Sequence, residues 1–167
     1  RRVLFRSAIY AGSFDPITLG HLDIIERGSV LFDELVILLM ENEEKSGLFT
    51  MLERKQMIEE SISHLENVRV IIGSGLTVEC AKKLDCRILL RGIRAVTDYE
   101  YELQLATANM TIEPEIETVF LVSKPYLSFL SSSTAKTIAK NGGDISMFVP
   151  DNVQKKMMEK YAMGDNK

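Results

Sequence analysis

The chain has 167 residues, 46% of them hydrophobic, and 24 acidic against 20 basic side chains for a formal charge of −4. That supplies one sizeable core, hence a single domain expected over 8–161, and the acidic balance excludes a broad nucleic-acid-binding or anionic-membrane-binding surface. A phosphate site is therefore expected only as a local cationic cluster, and Cys80 and Cys86, which match neither a metal pair nor a disulfide scaffold, read as free thiols of a cytoplasmic protein.

Residues 1–7 lack a long apolar stretch and read as an appended remnant rather than a signal peptide; 162–167 read as a flexible tail. The first strand is expected over 8–11, running into Gly12-Ser13-Phe14-Asp15-Pro16 and a helix over 19–32. Thr18 is placed to cap that helix, which puts His21 at the third helical position beside unpaired backbone N–H groups. Gly20 keeps the approach open, so an anion there would meet backbone donors, the positive helix end and an imidazole together. The longest apolar run, 35–40, has strand length rather than that of a membrane span and leads to Glu43-Glu44-Lys45, whose lysine is either a solvated loop residue or a phosphate ligand. Thr50 and Glu53 form a capping box for a helix over 51–65.

The third strand, 68–72, gives way to Gly73-Ser74-Gly75-Leu76 and a helix over 77–84. The fourth, 88–90, delivers Arg91-Gly92-Ile93-Arg94, whose guanidinium groups either grip phosphate or bridge Asp98, Glu100 or Glu102 on a helix over 98–109. The acidic stretch Asp98 to Glu102 reads as a charged helix face, since no second carboxylate cluster would complete a metal site. After the fifth strand, 118–122, Ser131-Ser132-Ser133-Thr134 opens a helix over 133–141 that Gly142-Gly143 closes. Its hydroxyls and N–H groups suit outer phosphates, with Lys136 one turn further in. A last helix is expected over 151–161. The alternation predicts an α/β fold, a Rossmann-like open parallel five-stranded sheet with helices on both faces. Ligands bind such sheets beyond the carboxyl ends of the strands, so Lys45, Arg91 and Arg94 are expected to converge with His21 on one rim.

Gly12 to His21 resembles the (Thr/His)-x-Gly-His signature of nucleotidyltransferases, and Ser131 to Lys136 resembles their second signature, Ser-Ser-(Ser/Thr)-x-x-(Arg/Lys). With Leu90-Arg91-Gly92-Ile93-Arg94 and Asp98 to Glu102 between them, the chain from about 8 to about 161 resembles bacterial phosphopantetheine adenylyltransferases. The resemblance implies transfer of the adenylyl group of ATP to 4′-phosphopantetheine, giving dephospho-coenzyme A and pyrophosphate. It also implies Mg2+ carried by the ATP phosphates without dedicated protein ligands, and a cytoplasmic homohexamer with coenzyme A as feedback ligand. By position, His21 would stabilise the transition state at the α-phosphate. Lys45 and Arg91 would hold the acceptor's phosphate, with Ser13 touching it and Leu76 and Thr77 lining the pantetheine arm. ATP would be held by Ser13, Phe14, His21, Gly92, Ile93, Arg94, Glu102, Leu127, Ser128, Phe129, Leu130, Ser131, Ser132 and Ser133. Ala11 stands where the family usually has proline, and Leu127 where an aromatic residue is common. The alternatives are a nucleotidyltransferase of the same fold with another phosphorylated acceptor, and a non-catalytic nucleotide-binding regulatory module.

Overall fold

In the computed structural model, which describes residues 5–41 and 46–164, the alternating pattern becomes an open sheet wrapped by helices. The order is β1 (Ser7–Gly12), α1 (Leu19–Leu31), β2 (Glu34–Met40), α2 (Met51–Ser61), β3 (Val68–Gly73), α3 (Thr77–Lys83), β4 (Ile88–Ile93), α4 (Val96–Ile112), β5 (Glu117–Val122), α5 (Ser132–Lys140) and α6 (Asp151–Gly164). A short 3-10 turn, Pro125–Leu127, joins β5 to α5.

All pairings are parallel and the strands lie in the order β3-β2-β1-β4-β5, so the winding reverses between β1 and β4. A crevice belongs at that reversal. Its opening is visible in the ladder: β1 runs in register with β2 along its whole length, whereas β1 and β4 share the pair Ile9 and Leu89. Beyond that pair Arg91 Nη1 donates to the Ala11 carbonyl at 2.6 Å, bridging the gap between the two strands.

Each central strand buries both faces, which is why it reads as a continuous apolar run. Ala8, Tyr10, Leu35, Ile37 and Leu39 pack with side chains of α1, α2, α5 and α6, while Ile9, Ala11, Val36, Leu38 and Leu89 pack with Val78 and Ala81 of α3. α4 lies on the α3 side, where Leu105 and Asn109 share a hollow with Ile9, Ala11 and Leu89.

Several boundaries differ from the sequence expectation. β4 extends through Ile93 because Arg91, Gly92 and Ile93 continue the register with Phe120, Leu121 and Val122 of β5. α2 stops at Ser61 rather than 65; beyond it Asn67 donates to the carbonyls of Ser29 and Phe32 at 2.8 and 3.1 Å, tying the chain to the end of α1 before β3. α4 is longer at both ends than 98–109, α5 starts one residue earlier with Ser131 as its cap, and α6 takes 162–164 into the helix.

Candidate active site

The start of α1 is built by an unusual reciprocal cap. Thr18 Oγ1 accepts from the His21 N–H at 3.3 Å, and His21 Nδ1 accepts from the Thr18 N–H at 3.0 Å, taking the place that Glu or Gln usually fills. Because a backbone N–H points at Nδ1, the ring proton sits on Nε2, which remains free to donate. Burial, reinforced by the guanidinium groups of Arg94 and Arg91, pushes the imidazole down to about 4, so the ring is neutral at physiological pH. Phe14 meets this ring edge-on at 5.0 Å and Tyr10 at right angles at 5.4 Å, so three aromatic groups fix one another.

His21 lines a cavity of about 530 Å3 together with Ser13, Phe14, Gly20, Arg91, Gly92, Arg94, Glu102, Leu130, Ser131, Ser132 and Ser133. A second hollow of about 160 Å3 contains Leu76, Thr77, Leu105 and Asn109, and Arg91 belongs to both. Most of the residues singled out from the sequence thus sort into two sets that meet at one guanidinium. Ile93, Leu127, Ser128 and Phe129 line neither space, and Phe129 packs edge-on against Phe148 at 5.5 Å. Lys45 lies outside the described residues.

Arg91 and Arg94 converge with His21 on one rim as expected, and each is held by a carboxylate of α4. Arg91 makes a two-point pair with Glu102, both contacts 2.7 Å, and Arg94 pairs with Asp98 at 2.9 and 3.2 Å. Among the described residues lining the cavity, two cations are matched by two anions. Burial of Arg91 opposes its charge, but Glu102 outweighs it and holds the guanidinium above its ordinary pKa. The carboxylates therefore keep the arginines in place, and an incoming phosphate must take over their N–H groups.

Around α5, Ser131 Oγ accepts from the Thr134 N–H at 3.0 Å and Ser132 Oγ donates to the Pro16 carbonyl at 2.7 Å. The Ser133 hydroxyl has no such partner among the described residues, so it and the first-turn N–H groups are what α5 presents. Lys136 does not reach toward the cavity as its position in the second signature led us to expect: its Nζ sits 3.1 Å from Asp15. Tyr10 was missed in the sequence, where it is one more apolar strand residue. Tyr10 lines the cavity, and burial, opposed by Arg91 and Arg94 and aided by Glu102, pushes its phenol up to about 12. A phenol at the carboxyl end of a parallel strand was the available signal.

Residues 9–138 match the Cytidylyltransferase-like family. A phosphopantetheine adenylyltransferase of Gloeobacter violaceus is 50% identical over 155 residues, 93% of this chain and 96% of the relative. Those of Thermosynechococcus vestitus and Thermotoga neapolitana are 52% and 47% identical, covering 89% and 94% of this chain and 88% and 98% of their own. The chain belongs to the phosphopantetheine adenylyltransferase family. Membership spans the sheet, both hollows and α5, so the residues gathered at the β1/β4 crevice are those of a phosphopantetheine adenylyltransferase family member. Two solved structures share the fold at low identity. A putative nicotinate-nucleotide adenylyltransferase from Vibrio parahaemolyticus superposes with a TM-score of 0.68 at 16% identity, covering 93% of this chain and 92% of that one. A bifunctional NMN adenylyltransferase/ADP ribose pyrophosphatase from Francisella tularensis gives 0.70 at 15%, covering 95% of this chain and 52% of that one.

Proposed function

We infer that the protein transfers the adenylyl group of ATP to 4′-phosphopantetheine in coenzyme A biosynthesis, forming dephospho-coenzyme A and releasing pyrophosphate. The observation that carries this is the junction of the two hollows at Arg91, in a chain that is 50% identical over nearly its full length to a phosphopantetheine adenylyltransferase. The larger cavity suits the nucleotide. Arg91, with Lys45, takes the acceptor's phosphate, and Leu76 and Thr77 receive the pantetheine arm.

An acceptor phosphate is already ionised near neutral pH and attacks the α-phosphorus without a general base or a covalent enzyme intermediate. One acceptor oxygen forms the new bond to phosphorus as the bond to the β-phosphate oxygen breaks, and pyrophosphate leaves with that electron pair. Catalysis then consists of holding two anions together and stabilising the charge that develops between them. His21 donates from Nε2 to an α-phosphate oxygen, and its neutrality keeps that proton in place through the reaction, as suits a hydrogen-bond donor rather than an acid. The Phe14 ring is buried, so its main-chain N–H, with Ser13, serves the phosphates. Arg94 and Ser133 with the α5 N-terminus hold the rest of the triphosphate, Glu102 borders the nucleotide while it holds Arg91, and Gly92, Leu130, Ser131 and Ser132 complete the cavity, flanked in the chain by Ile93, Leu127, Ser128 and Phe129.

Among the described residues no three His, Cys, Asp or Glu side chains gather as a metal-binding group, and Asp98 and Glu102 are each bound to an arginine. Mg2+ would arrive on the ATP phosphates and neutralise their charge. We also propose a cytoplasmic homohexamer, with coenzyme A entering the acceptor hollow through the pantetheine arm it shares with the substrate. Pyrophosphate release measured with the nucleotide and the acceptor varied in turn tests the function: ATP with 4′-phosphopantetheine should be the productive pair. Equal rates with CTP, or with another phosphorylated acceptor, would contradict it.

A further inference from the structure

Asp15 and Arg54 are both 7% exposed and line neither hollow, yet they tie two walls of the larger one, the Ser13 turn and α5, to the segment that leads into α2. Asp15 accepts from the N–H groups of Leu48 and Phe49 at 2.9 and 3.0 Å, pairs with Arg54 Nε at 3.2 Å and with Lys136 Nζ at 3.1 Å. Burial would raise the pKa of this carboxyl, but those donors and the Arg54 charge hold it below the usual carboxylate range. Arg54 in turn donates from Nε to the Phe49 carbonyl at 2.8 Å and from Nη1 to the Ser13 carbonyl at 3.2 Å.

The bond to Ser13 has a geometric consequence. In a trans peptide the carbonyl and the following N–H point in opposite directions, so a Ser13 carbonyl drawn to Arg54 sends the Phe14 N–H the other way. Ser13 and Phe14 both line the nucleotide cavity. Phe14 moreover has φ of 41°, a left-handed conformation that a bulky side chain avoids unless its surroundings impose it. The Asp15–Arg54 pair is such a surrounding. Gly47 leaves it room: a Cβ there would overlap Arg54 Nη2 and lie 2.8 Å from Cζ and 2.9 Å from Asp15 Oδ2.

We propose that Arg54, oriented by Asp15, is a positioning residue for adenylyl transfer that aims the Ser13–Phe14 peptide at the reacting phosphates while remaining outside the cavity. Through Lys136 the same carboxylate anchors α5, whose first turn forms the facing wall. This rests on the adenylyltransferase reading.

Arg54→Lys keeps a charge for Asp15 but lacks the planar fork that spans the Phe49 and Ser13 carbonyls. Its kcat for pyrophosphate release should fall by about 10²-fold, the scale of a misplacement near the reacting atoms, with KM for ATP changed by only a few fold. Gly47→Ala, which displaces the same guanidinium from the opposite side, should lower kcat in the same way with the protein still folded by circular dichroism. If Arg54 acts through the Ser13 turn, adding Ser13→Ala to either variant should cost much less than it costs in the wild type. Wild-type kcat in both variants, or full and independent Ser13→Ala losses in them, would overturn the proposal. Should Arg54→Lys fail to fold, Gly47→Ala decides. A wild-type protein that releases no pyrophosphate would instead contradict the adenylyltransferase reading.

Discussion

Lowering the pH should expose the state of His21. An ordinary histidine near 6.5 is about three-quarters protonated at roughly pH 6, whereas one pushed down to about 4 is only about 1% protonated there. The depressed value has a stability consequence with a definite sign. Above about pH 6.5 both the folded and the unfolded chain hold the ring neutral; as the pH falls toward 4, the unfolded chain binds a proton that the folded chain refuses, and stability is lost. The full gap is worth about 3 kcal/mol at most, since one edge of the ring opens to the cavity, and roughly 2 kcal/mol of it falls between about pH 7 and 5. Urea unfolding of wild type and His21→Gln across that range should therefore show the wild type losing about 2 kcal/mol more than the variant. The chain has two histidines, His21 and His64, so imidazole 15N NMR can follow His21 directly. Parallel stability curves, or a His21 signal titrating near 6.5 in the free protein, would mean that the ring is not held neutral by its surroundings.

His21→Ala should lower kcat by about 10²- to 10³-fold while ATP binding, measured by calorimetry, changes far less. Arg91→Ala should raise KM for 4′-phosphopantetheine much more than KM for ATP in steady-state assays, and unphosphorylated pantetheine should be inert with the wild type. Thr18→Val removes the α1 cap while keeping its volume and should cost about 1–2 kcal/mol in denaturant unfolding. Light scattering at micromolar concentration should give the mass of a hexamer.

The start of α1 was legible because its signals are local: Thr18, Gly20 and His21 sit within one helical turn, and the structure makes Thr18 the cap it was read to be. The parallel α/β class was legible for a similar reason, since doubly buried strands such as Glu34–Met40 are apolar at consecutive positions. Charge pairing was not. The sequence offered Arg91 both a phosphate and a bridge to Glu102, and only the packing of α4 against β4 shows the bridge made within the cavity wall. Lys136 illustrates the longer-range form of the same problem: 121 residues separate it from Asp15, whose buried carboxylate holds its ammonium group. The extension of β4 through Gly92 was hidden because ladder partners on β5, and not local preference, decide where a strand ends.

Direct transfer from ATP to 4′-phosphopantetheine at the β1/β4 crevice passes through no covalent enzyme intermediate. A single-turnover reaction with excess enzyme, Mg2+, α-labelled ATP and 4′-phosphopantetheine, analysed by mass spectrometry and by counting label on protein, tests it most directly. The label should appear in dephospho-coenzyme A with one equivalent of pyrophosphate and none on the protein. Labelled protein would mean a covalent intermediate, and no dephospho-coenzyme A at all would mean a different acceptor.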